Sequence, residues 1–418
     1  MVNFVRTTIK NQQNAKIQNK QSHFESIYIH IPFCEIKCPY CDFNAYSKID
    51  DLTKNLVEAI KLEINFWSSK FKKNQIKSIY FGGGTPSWID SEYITIILSE
   101  INKHFELSNN AEITLECNPI DLTNKKITDY IDSGINRFSV GIQSLDNKTL
   151  KFIGRNHNKA QALDGLNNIR TNNIQNFSVD IMYGIPYQTH SQIKDTVNGL
   201  LEFDPAHFSA YSFTVEPNTP FHKFVREKKI KELDENEYMK IFHELYDSLE
   251  KNNYVNYEIS NWAKNNFESI HNLNYWDNNK FLGIGAGAHS YVNNFRFFNE
   301  NSPKQYISKI NKQGSIPVTN EFLNLLNDTK FVSGIENINE DTKIREYMIF
   351  SLRKKTGLNR DIFENLFKRN IDNYLSSKFD DFLDLKILEK HQDVYKFTNS
   401  GKLLSNEVFR EILHPESM

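Results

Sequence analysis

The sequence of 418 residues predicts an α/β fold, in which a mostly parallel sheet forms an open or partial barrel and a small, mainly helical C-terminal domain follows. Three observations support this prediction. Short apolar runs alternate with amphipathic helical patterns, which is typical of βαβ units. The polar and cysteine-containing motifs follow these runs or end them, as expected where chemistry collects at the carboxyl ends of parallel strands. The alternation stops after about residue 300.

The predicted strands are short runs that are rich in β-branched and aromatic residues. We predict strands at Ile27–Ile31, Ile76–Phe81, Ala111–Glu116, Arg137–Gly141, Phe177–Met182 and His207–Ser212. The segments between them carry apolar residues at helical spacing. We predict helices at Leu52–Trp67, Tyr93–Phe105, Lys125–Ser133 and Ala160–Thr171.

Three domains are expected: a flexible N-terminal tail at residues 1–24, an α/β domain at 25–300 and a C-terminal domain at 301–418. The tail contains basic residues and no acid, so an organellar transit peptide is an alternative interpretation. Ser302–Gln313 is predicted to be a linker. The regular segments expected in the C-terminal domain are helices at Thr342–Lys354 and Asp361–Phe367 and a short strand at Val394–Phe397.

The composition is that of an ordinary globular protein, with 39% hydrophobic, 13% aromatic and 24% charged residues. The net charge of −2 provides no overall field that would recruit nucleic acid. No apolar run approaches the roughly 20 residues that a transmembrane helix needs, and no secretory signal precedes the first strand. We therefore expect a cytoplasmic protein without a transmembrane segment.

Three of the four cysteines lie close together, at Cys34, Cys38 and Cys41, directly after the first predicted strand. Clustered thiols in so few cysteines indicate a metal site in a reducing compartment, not a disulfide framework. A [4Fe–4S] cluster normally takes four thiolates. Three thiolates leave one iron open, and the amino and carboxylate groups of S-adenosylmethionine (SAM) can fill that position. A zinc site with His30 as fourth ligand, and no metal at all, are the alternatives.

Cys117 stands apart from this loop and is expected to be a buried packing residue.

A glycine run and several polar residues are candidates for binding SAM. Gly83, Gly84 and Thr85 follow the second predicted strand, where glycines allow a close approach of the backbone to a ligand. The alternative is that the run only forms a turn. Further polar residues at strand ends would suit ribose, adenine and carboxylate contacts, although each has a purely structural alternative. They are Glu116, Gln143, Arg155 and Asp180.

Together these residues resemble the radical SAM family that contains oxygen-independent coproporphyrinogen III dehydrogenase and the HemW-type heme chaperones. The matching stretches are Tyr28–Pro32, Cys34–Cys41, Gly82–Pro86, Glu116–Pro119, Gly141–Ser144, Gly154–Arg155, Asp180–Gly184 and Tyr211–Pro217. The resemblance implies an incomplete parallel (β/α)6 radical SAM barrel and a [4Fe–4S] cluster on the three loop cysteines. It also implies SAM contacts from Tyr28, Tyr40, Gly83, Gly84, Thr85, Glu116, Gln143, Arg155, Asp180 and Thr214.

Two features favour the chaperone branch of this family. Phe43 stands where the dehydrogenase pattern has a further cysteine, and His271 begins an H-N-x-x-Y-W motif that is typical of the chaperones. Imidazole is a common axial ligand of heme iron, and Tyr275 and Trp276 could pack against a macrocycle. The alternative for His271 is a buried, hydrogen-bonded structural residue. The weaker candidate ligands are His30, His157 and His289.

The resemblance therefore implies a chaperone that binds heme and transfers it to apo-hemoproteins, and it leaves a homodimer open. The alternative is an enzyme that decarboxylates coproporphyrinogen III oxidatively to protoporphyrinogen IX. Only 33 residues precede the first loop cysteine, which is shorter than the N-terminal segment of the dehydrogenases and also disfavours that enzyme.

Overall fold

A computed structural model describes residues 23–71, 75–315, 321–375 and 378–414. The strands are β1 Ser26–Ile31, β2 Gln75–Gly83, β3 Glu106–Cys117, β4 Arg137–Gln143, β5 Phe177–Tyr183, β6 His207–Ser212, β7 Val255–Glu258, β8 Asn261–Ala263, β9 Phe281–Ile284, β10 His289–Val292, β11 Phe295–Asn299, β12 Val332–Asn337, β13 Leu358–Asn359, β14 Leu388–His391 and β15 Val394–Phe397. Residues 1–22, which contain most of the predicted tail and the basic residues of the transit-peptide alternative, lie outside the described residues.

The helices lie mainly between successive strands of the sheet. They are α1 Thr53–Ser68, α2 Ser91–His104, α3 Asn124–Ser133, α4 Asn147–Phe152, α5 Lys159–Thr171, α6 His190–Leu201, α7 Pro220–Arg226, α8 Glu235–Lys251, α9 Ile270–Trp276, α10 Pro303–Asn311, α11 Phe322–Asp328, α12 Glu340–Arg353, α13 Arg360–Phe367, α14 Lys378–Asp384 and α15 Ser405–Leu413. No described helix is long and apolar enough to cross a membrane.

Strands β1 to β6 lie side by side in sequence order and are all parallel. The α/β fold with a (β/α)6 barrel is thereby confirmed. Both faces of β1 are buried: Ile27, Ile29 and Ile31 lie on one face, and Ser26 and His30 lie on the other. The barrel is incomplete because β1 and β6 do not pair with each other. Instead β9 extends the sheet beyond β1, and β8 extends it beyond β6.

The C-terminal region has its own hydrophobic cluster, which begins at Ile344 and ends at Ile412. It contains α12 to α15 and a small sheet in the order β13–β15–β14, so the strand predicted at Val394–Phe397 is confirmed. The main sheet ends with β12 at Asn337. We therefore propose a domain boundary between Asn337 and Ile344, later than the boundary expected from the sequence.

Two sequence-based predictions need correction. The predicted linker at Ser302–Gln313 is mostly the helix α10, because Tyr306 and Ile310 are buried against the core. The Tyr306 hydroxyl donates a hydrogen bond of 2.5 Å to the buried carboxylate of Glu63 on α1. Phe24, which we assigned to the tail, is also buried in the core, so the packed part of the chain begins before β1.

Candidate cofactor site

A cavity of about 520 Å³ opens at the carboxyl ends of the six parallel strands. All of the predicted site residues except Tyr28 and His271 line it. From the cysteine loop and the strand ends these are Cys34, Cys38, Tyr40, Cys41, Gly83, Gly84, Thr85, Glu116, Gln143, Arg155, Asp180 and Thr214. The parallel topology explains this convergence, because each motif follows a strand that ends at the same rim.

The cysteine loop is anchored at its base by backbone hydrogen bonds on both sides. The Cys34 amide donates to the Tyr46 carbonyl at 2.9 Å, and the Tyr46 amide donates to the Pro32 carbonyl at 2.7 Å. On the other side the Thr85 amide, at the end of β2, donates to the Phe33 carbonyl at 2.7 Å. The loop is therefore fixed between β1 and β2, and it presents its side chains to the cavity.

The three loop thiols face the same cavity and are partly exposed. Cys34 Sγ lies 3.5 Å from the Thr85 hydroxyl, and Cys38 Sγ lies 4.0 Å from Nη1 of Arg155. Burial raises the pKa of the Cys34 thiol, and it raises that of Cys41 to about 11. Metals bind the thiolate form, so assembly of a cluster on these cysteines would release protons.

The donor set fits a multinuclear cluster better than zinc. Within the described ranges, no three His, Cys, Asp or Glu side chains converge as ligands of one metal ion. His30, the alternative fourth zinc ligand, is buried, and burial lowers its pKa to about 4. Its Nε2 donates to the Asn44 carbonyl and its Nδ1 accepts from the Tyr28 hydroxyl, both at 2.9 Å. Both ring nitrogens of His30 are thus engaged, whereas three thiols on one wall can each hold a different iron.

The glycine run at the end of β2 brings the backbone under the cysteine loop. Gly83 has a φ of 113°, and a Cβ there would lie 2.4 Å from the His30 ring. A Cβ at Gly84 would lie 2.5 Å from the Phe33 carbonyl oxygen. Packing therefore requires both glycines, and the same absence of side chains leaves their backbone exposed to the cavity.

Two half-buried carboxylates, Glu116 and Asp180, also line the cavity. Glu116 accepts hydrogen bonds from the Tyr80 hydroxyl at 2.8 Å and from the Gly83 amide at 3.2 Å. Burial raises the pKa of Glu116 to about 7, and the nearby charge of Asp180 adds to this increase. Asp180 accepts hydrogen bonds from the hydroxyls of Ser139 and Ser178, while burial raises its pKa.

Arg155 is a half-buried cation in the cavity lining. Its Nη2 donates to the Asn118 side-chain oxygen at 3.0 Å and to the Gly141 carbonyl at 2.8 Å. Its Nε is buried without a hydrogen-bond partner in the structure. A buried donor of this kind is costly unless a bound group satisfies it, so Arg155 fits a site for an anionic group beside the cysteine loop.

The remaining predicted contacts occupy the cavity rim. Gln143 ends β4 with a φ of 65°, after a register shift against β5. Tyr40 packs edge-on against Phe213, with ring centroids 6.5 Å apart. The Thr214 hydroxyl donates to Glu216 at 3.2 Å. These side chains are therefore placed where a ligand beside the cysteine loop would meet them.

His271 lies outside the cavity lining and is buried with a relative exposure of 1%. Its Nδ1 forms a hydrogen bond with the Ser78 hydroxyl, and its Nε2 forms one with the Tyr275 hydroxyl, both at 2.9 Å. Burial lowers its pKa to about 3, and its ring stacks on Tyr80 with centroids 5.0 Å apart. The heme-ligand role stays a prediction, but it would require one of these two hydrogen bonds to break, and the geometry matches the structural alternative.

Tyr28 also lies outside the lining and is part of this neighbourhood. Its hydroxyl is 2.9 Å from Nδ1 of His30, and its ring centroid is 6.5 Å from that of His271. Direct contact between Tyr28 and SAM stays a prediction. The weaker histidine candidates are buried or stacked: His157 Nε2 lies 3.1 Å from the Ile142 carbonyl, and His289 stacks on Phe298.

Several residues of the site did not stand out from the sequence. Asn118 bridges Arg155 and Asn156, at 3.0 Å in each case, and Tyr80 and Tyr211 line the cavity. Their positions at or near strand ends were the available signal. Asn44, which follows the cysteine loop, donates a hydrogen bond to the Ala286 carbonyl at 3.0 Å, so the turn between β9 and β10 supports the loop.

Cys117 packs in the main hydrophobic core and also borders the cavity wall, with a relative exposure of 4%.

Comparison with known proteins agrees with this geometry. Residues 28–200 match the Radical SAM superfamily. The chain is 32% identical to Heme chaperone HemW of Bacillus subtilis over 93% of this chain and 99% of that protein. It is 34% identical to Heme chaperone HemW of Buchnera aphidicola from Schizaphis graminum, over 93% of this chain and 98% of that protein.

A solved structure shows the same fold. Coproporphyrinogen III oxidase (HemN) from Escherichia coli, a radical SAM enzyme, superimposes with a TM-score of 0.78 over 93% of this chain and 90% of that one. The sequence identity in that alignment is 20%, so this likeness concerns the fold alone. Relatives that match nearly the whole chain at more than 30% identity agree with the cysteine loop, glycine run and arginine around one cavity, and the chain belongs to the HemW family of radical SAM proteins.

Proposed function

We propose that this protein is a heme chaperone, which binds heme and transfers it to apo-hemoproteins. The observation that carries the proposal is the similarity along nearly the whole chain to proteins named Heme chaperone HemW, at 32% and 34% identity. Phe43 supports it, because this residue replaces the further cysteine of the dehydrogenase pattern. Its side chain is 50% exposed and lines the cavity.

We further propose that Cys34, Cys38 and Cys41 hold a [4Fe–4S] cluster with SAM bound beside it in the same cavity. When bound and reduced, such a cluster supplies an electron that can cleave SAM. The chain's own part is to position these groups. Arg155 offers a half-buried positive charge beside Cys38, and Glu116 accepts a hydrogen bond from the Gly83 amide at the end of β2.

Oxidative decarboxylation of coproporphyrinogen III is the second candidate function. The fold shared with the Escherichia coli oxidase is the observation that favours it. We place it second because the near-full-length relatives above 30% identity are named as chaperones. A cytoplasmic location, apo-hemoprotein acceptors and a homodimer remain further proposals.

Titration of the anaerobically reconstituted full chain with hemin tests heme binding. We expect a saturable Soret change with about one heme per chain, and transfer of that heme when apomyoglobin is added. Absence of saturable binding would contradict the proposed function.

The variant His271→Ala decides the role of that histidine. Tyr275 would lose its hydrogen-bond partner, and Ser78 would keep only its hydrogen bond to Ser26, so we expect the free energy of unfolding to fall by about 1–3 kcal/mol. We expect hemin binding to persist. Unchanged stability with loss of the Soret band would instead make His271 an axial ligand.

A further inference from the structure

A second cavity lies between the α/β domain and the C-terminal domain, and none of its lining residues belongs to the cofactor site. Its volume is about 620 Å³, which is within the usual range for small-molecule sites. One wall comes from the end of α8 and from β7, and the other comes from the end of α12 and from β15 with the turn that follows. The cavity is therefore assembled only when the two domains pack together.

The cavity lining has five cationic side chains and three carboxylates, so positive charge is in excess. Three of the cations are lysines from separate segments: Lys355, Lys396 and Lys402. Within the described part of the chain, none of them forms an ion pair with a carboxylate, although Glu250 and Glu389 also line the cavity. The neighbouring cations differ, because Lys354 pairs with Asp277, and Arg353 pairs with Glu258 at 3.3 Å.

Lys402 is the most enclosed of the three lysines. Its Nζ donates to the side-chain oxygens of Asn256 at 2.6 Å and Asn399 at 3.0 Å, which are neutral acceptors. Burial lowers the pKa of Lys402 to about 8. Glu250, Glu258 and Glu389 act on this half-buried ammonium from a distance, and its direct partners are neutral. An ammonium without a carboxylate in direct contact gains free energy when an anion binds beside it.

Apolar side chains lie beside these cations. Val255, Ile259, Leu352 and Phe397 line the same cavity. A ligand with a flat apolar body and anionic groups on one edge fits this combination, and heme carries two carboxylates on one edge of an apolar macrocycle. The described lining contains no histidine, cysteine or methionine. Heme held there would keep its iron free of these strong protein ligands, which suits a carrier that must release it.

We propose that this interdomain cavity binds heme, with its carboxylates on Lys355, Lys396 and Lys402 and its macrocycle against the apolar wall. The proposal rests on the proposed function and assigns it a site. It also separates heme from the cofactor cavity, so the chain could hold heme, SAM and the cluster together.

Hemin titrations of the reconstituted full chain test this site with two variants. The first variant is Lys402→Met. The second is the double variant Lys355→Met with Lys396→Met, which still tests the site if Lys402→Met does not fold. Lys148→Met, an exposed lysine outside the cavity, is the matched control. Cluster content and the midpoint of thermal unfolding report on folding. Hemin dimethyl ester, which lacks the carboxylate charges, is the second ligand.

We expect each cavity variant to bind hemin at least about tenfold more weakly than wild type, since each loses at least one charged contact. We expect Lys148→Met to match wild type, and wild type to prefer hemin over the dimethyl ester. If the folded double variant binds hemin as tightly as wild type does, the proposed site is wrong and the proposed function remains intact. Failure of wild type to bind hemin would overturn both.

Discussion

At the scale of single residues, the cluster depends on which cysteines face the cavity. Cys34, Cys38 and Cys41 lie on one partly exposed loop, whereas Cys117 packs in the core with its Sγ 3.5 Å from the Leu115 carbonyl. We expect Cys38→Ala to abolish the brown chromophore after anaerobic reconstitution, because an iron loses its ligand. The matched variant Cys117→Ala should retain it. Iron analysis and absorbance check both, and a cluster lost in Cys117→Ala would contradict this assignment.

Glu116 should make the stability of the apoprotein depend on pH. Burial raises its pKa from 4.5 to about 7, so the folded state binds its proton more tightly than the unfolded state does. The free energy of unfolding that Glu116 contributes is therefore fully present below pH 4.5 and is lost as the pH rises through about 7. Glu116→Gln removes this titration.

The free energy of unfolding of Glu116→Gln, measured in urea relative to wild type, should accordingly increase as the pH rises from 4.5 to about 7. A difference that is constant with pH would show that the carboxylate is not perturbed. Glu63, whose pKa burial also raises to about 7, is unchanged in both proteins and so cancels from the comparison.

At the scale of elements, the sequence predicts the parallel strands well because each contains a short run of β-branched and aromatic residues between helical patterns. Later elements are harder to predict. Strands β7 to β11 have three to five residues each and carry too little periodicity. The helix α10 was mistaken for a linker because Pro303, Tyr306 and Ile310 are its only buried residues.

The junction of β2 with the cysteine loop gives a prediction at this scale. A side chain at Gly84 would meet the backbone of Ile31 and Phe33, where nothing flexible can move aside. We expect Gly84→Val to displace the loop and to lose both the cluster and the SAM-induced change in its EPR spectrum. Gly314→Val is the matched control, since no heavy atom lies within 4 Å of a Cβ built there. A normal cluster in Gly84→Val would show that the junction is not tightly packed.

At the scale of the whole molecule, the sequence located the cofactor cavity because parallel topology brings strand ends to one rim. It did not reveal the surroundings of His271, whose partner Ser78 lies 193 residues away in the sequence. The H-N-x-x-Y-W motif indicates the family, but a motif does not show whether a side chain faces a ligand or the core. The interdomain cavity was also missed, because its lysines belong to separate segments that meet only after folding.

The central claim is that the protein handles heme and does not synthesise its precursor. The most direct test incubates one anaerobic preparation, with an intact cluster, SAM and a reductant, either with coproporphyrinogen III or with hemin. We predict stoichiometric hemin binding and no protoporphyrinogen IX. Turnover of coproporphyrinogen III to protoporphyrinogen IX, with no saturable hemin binding, would contradict the account.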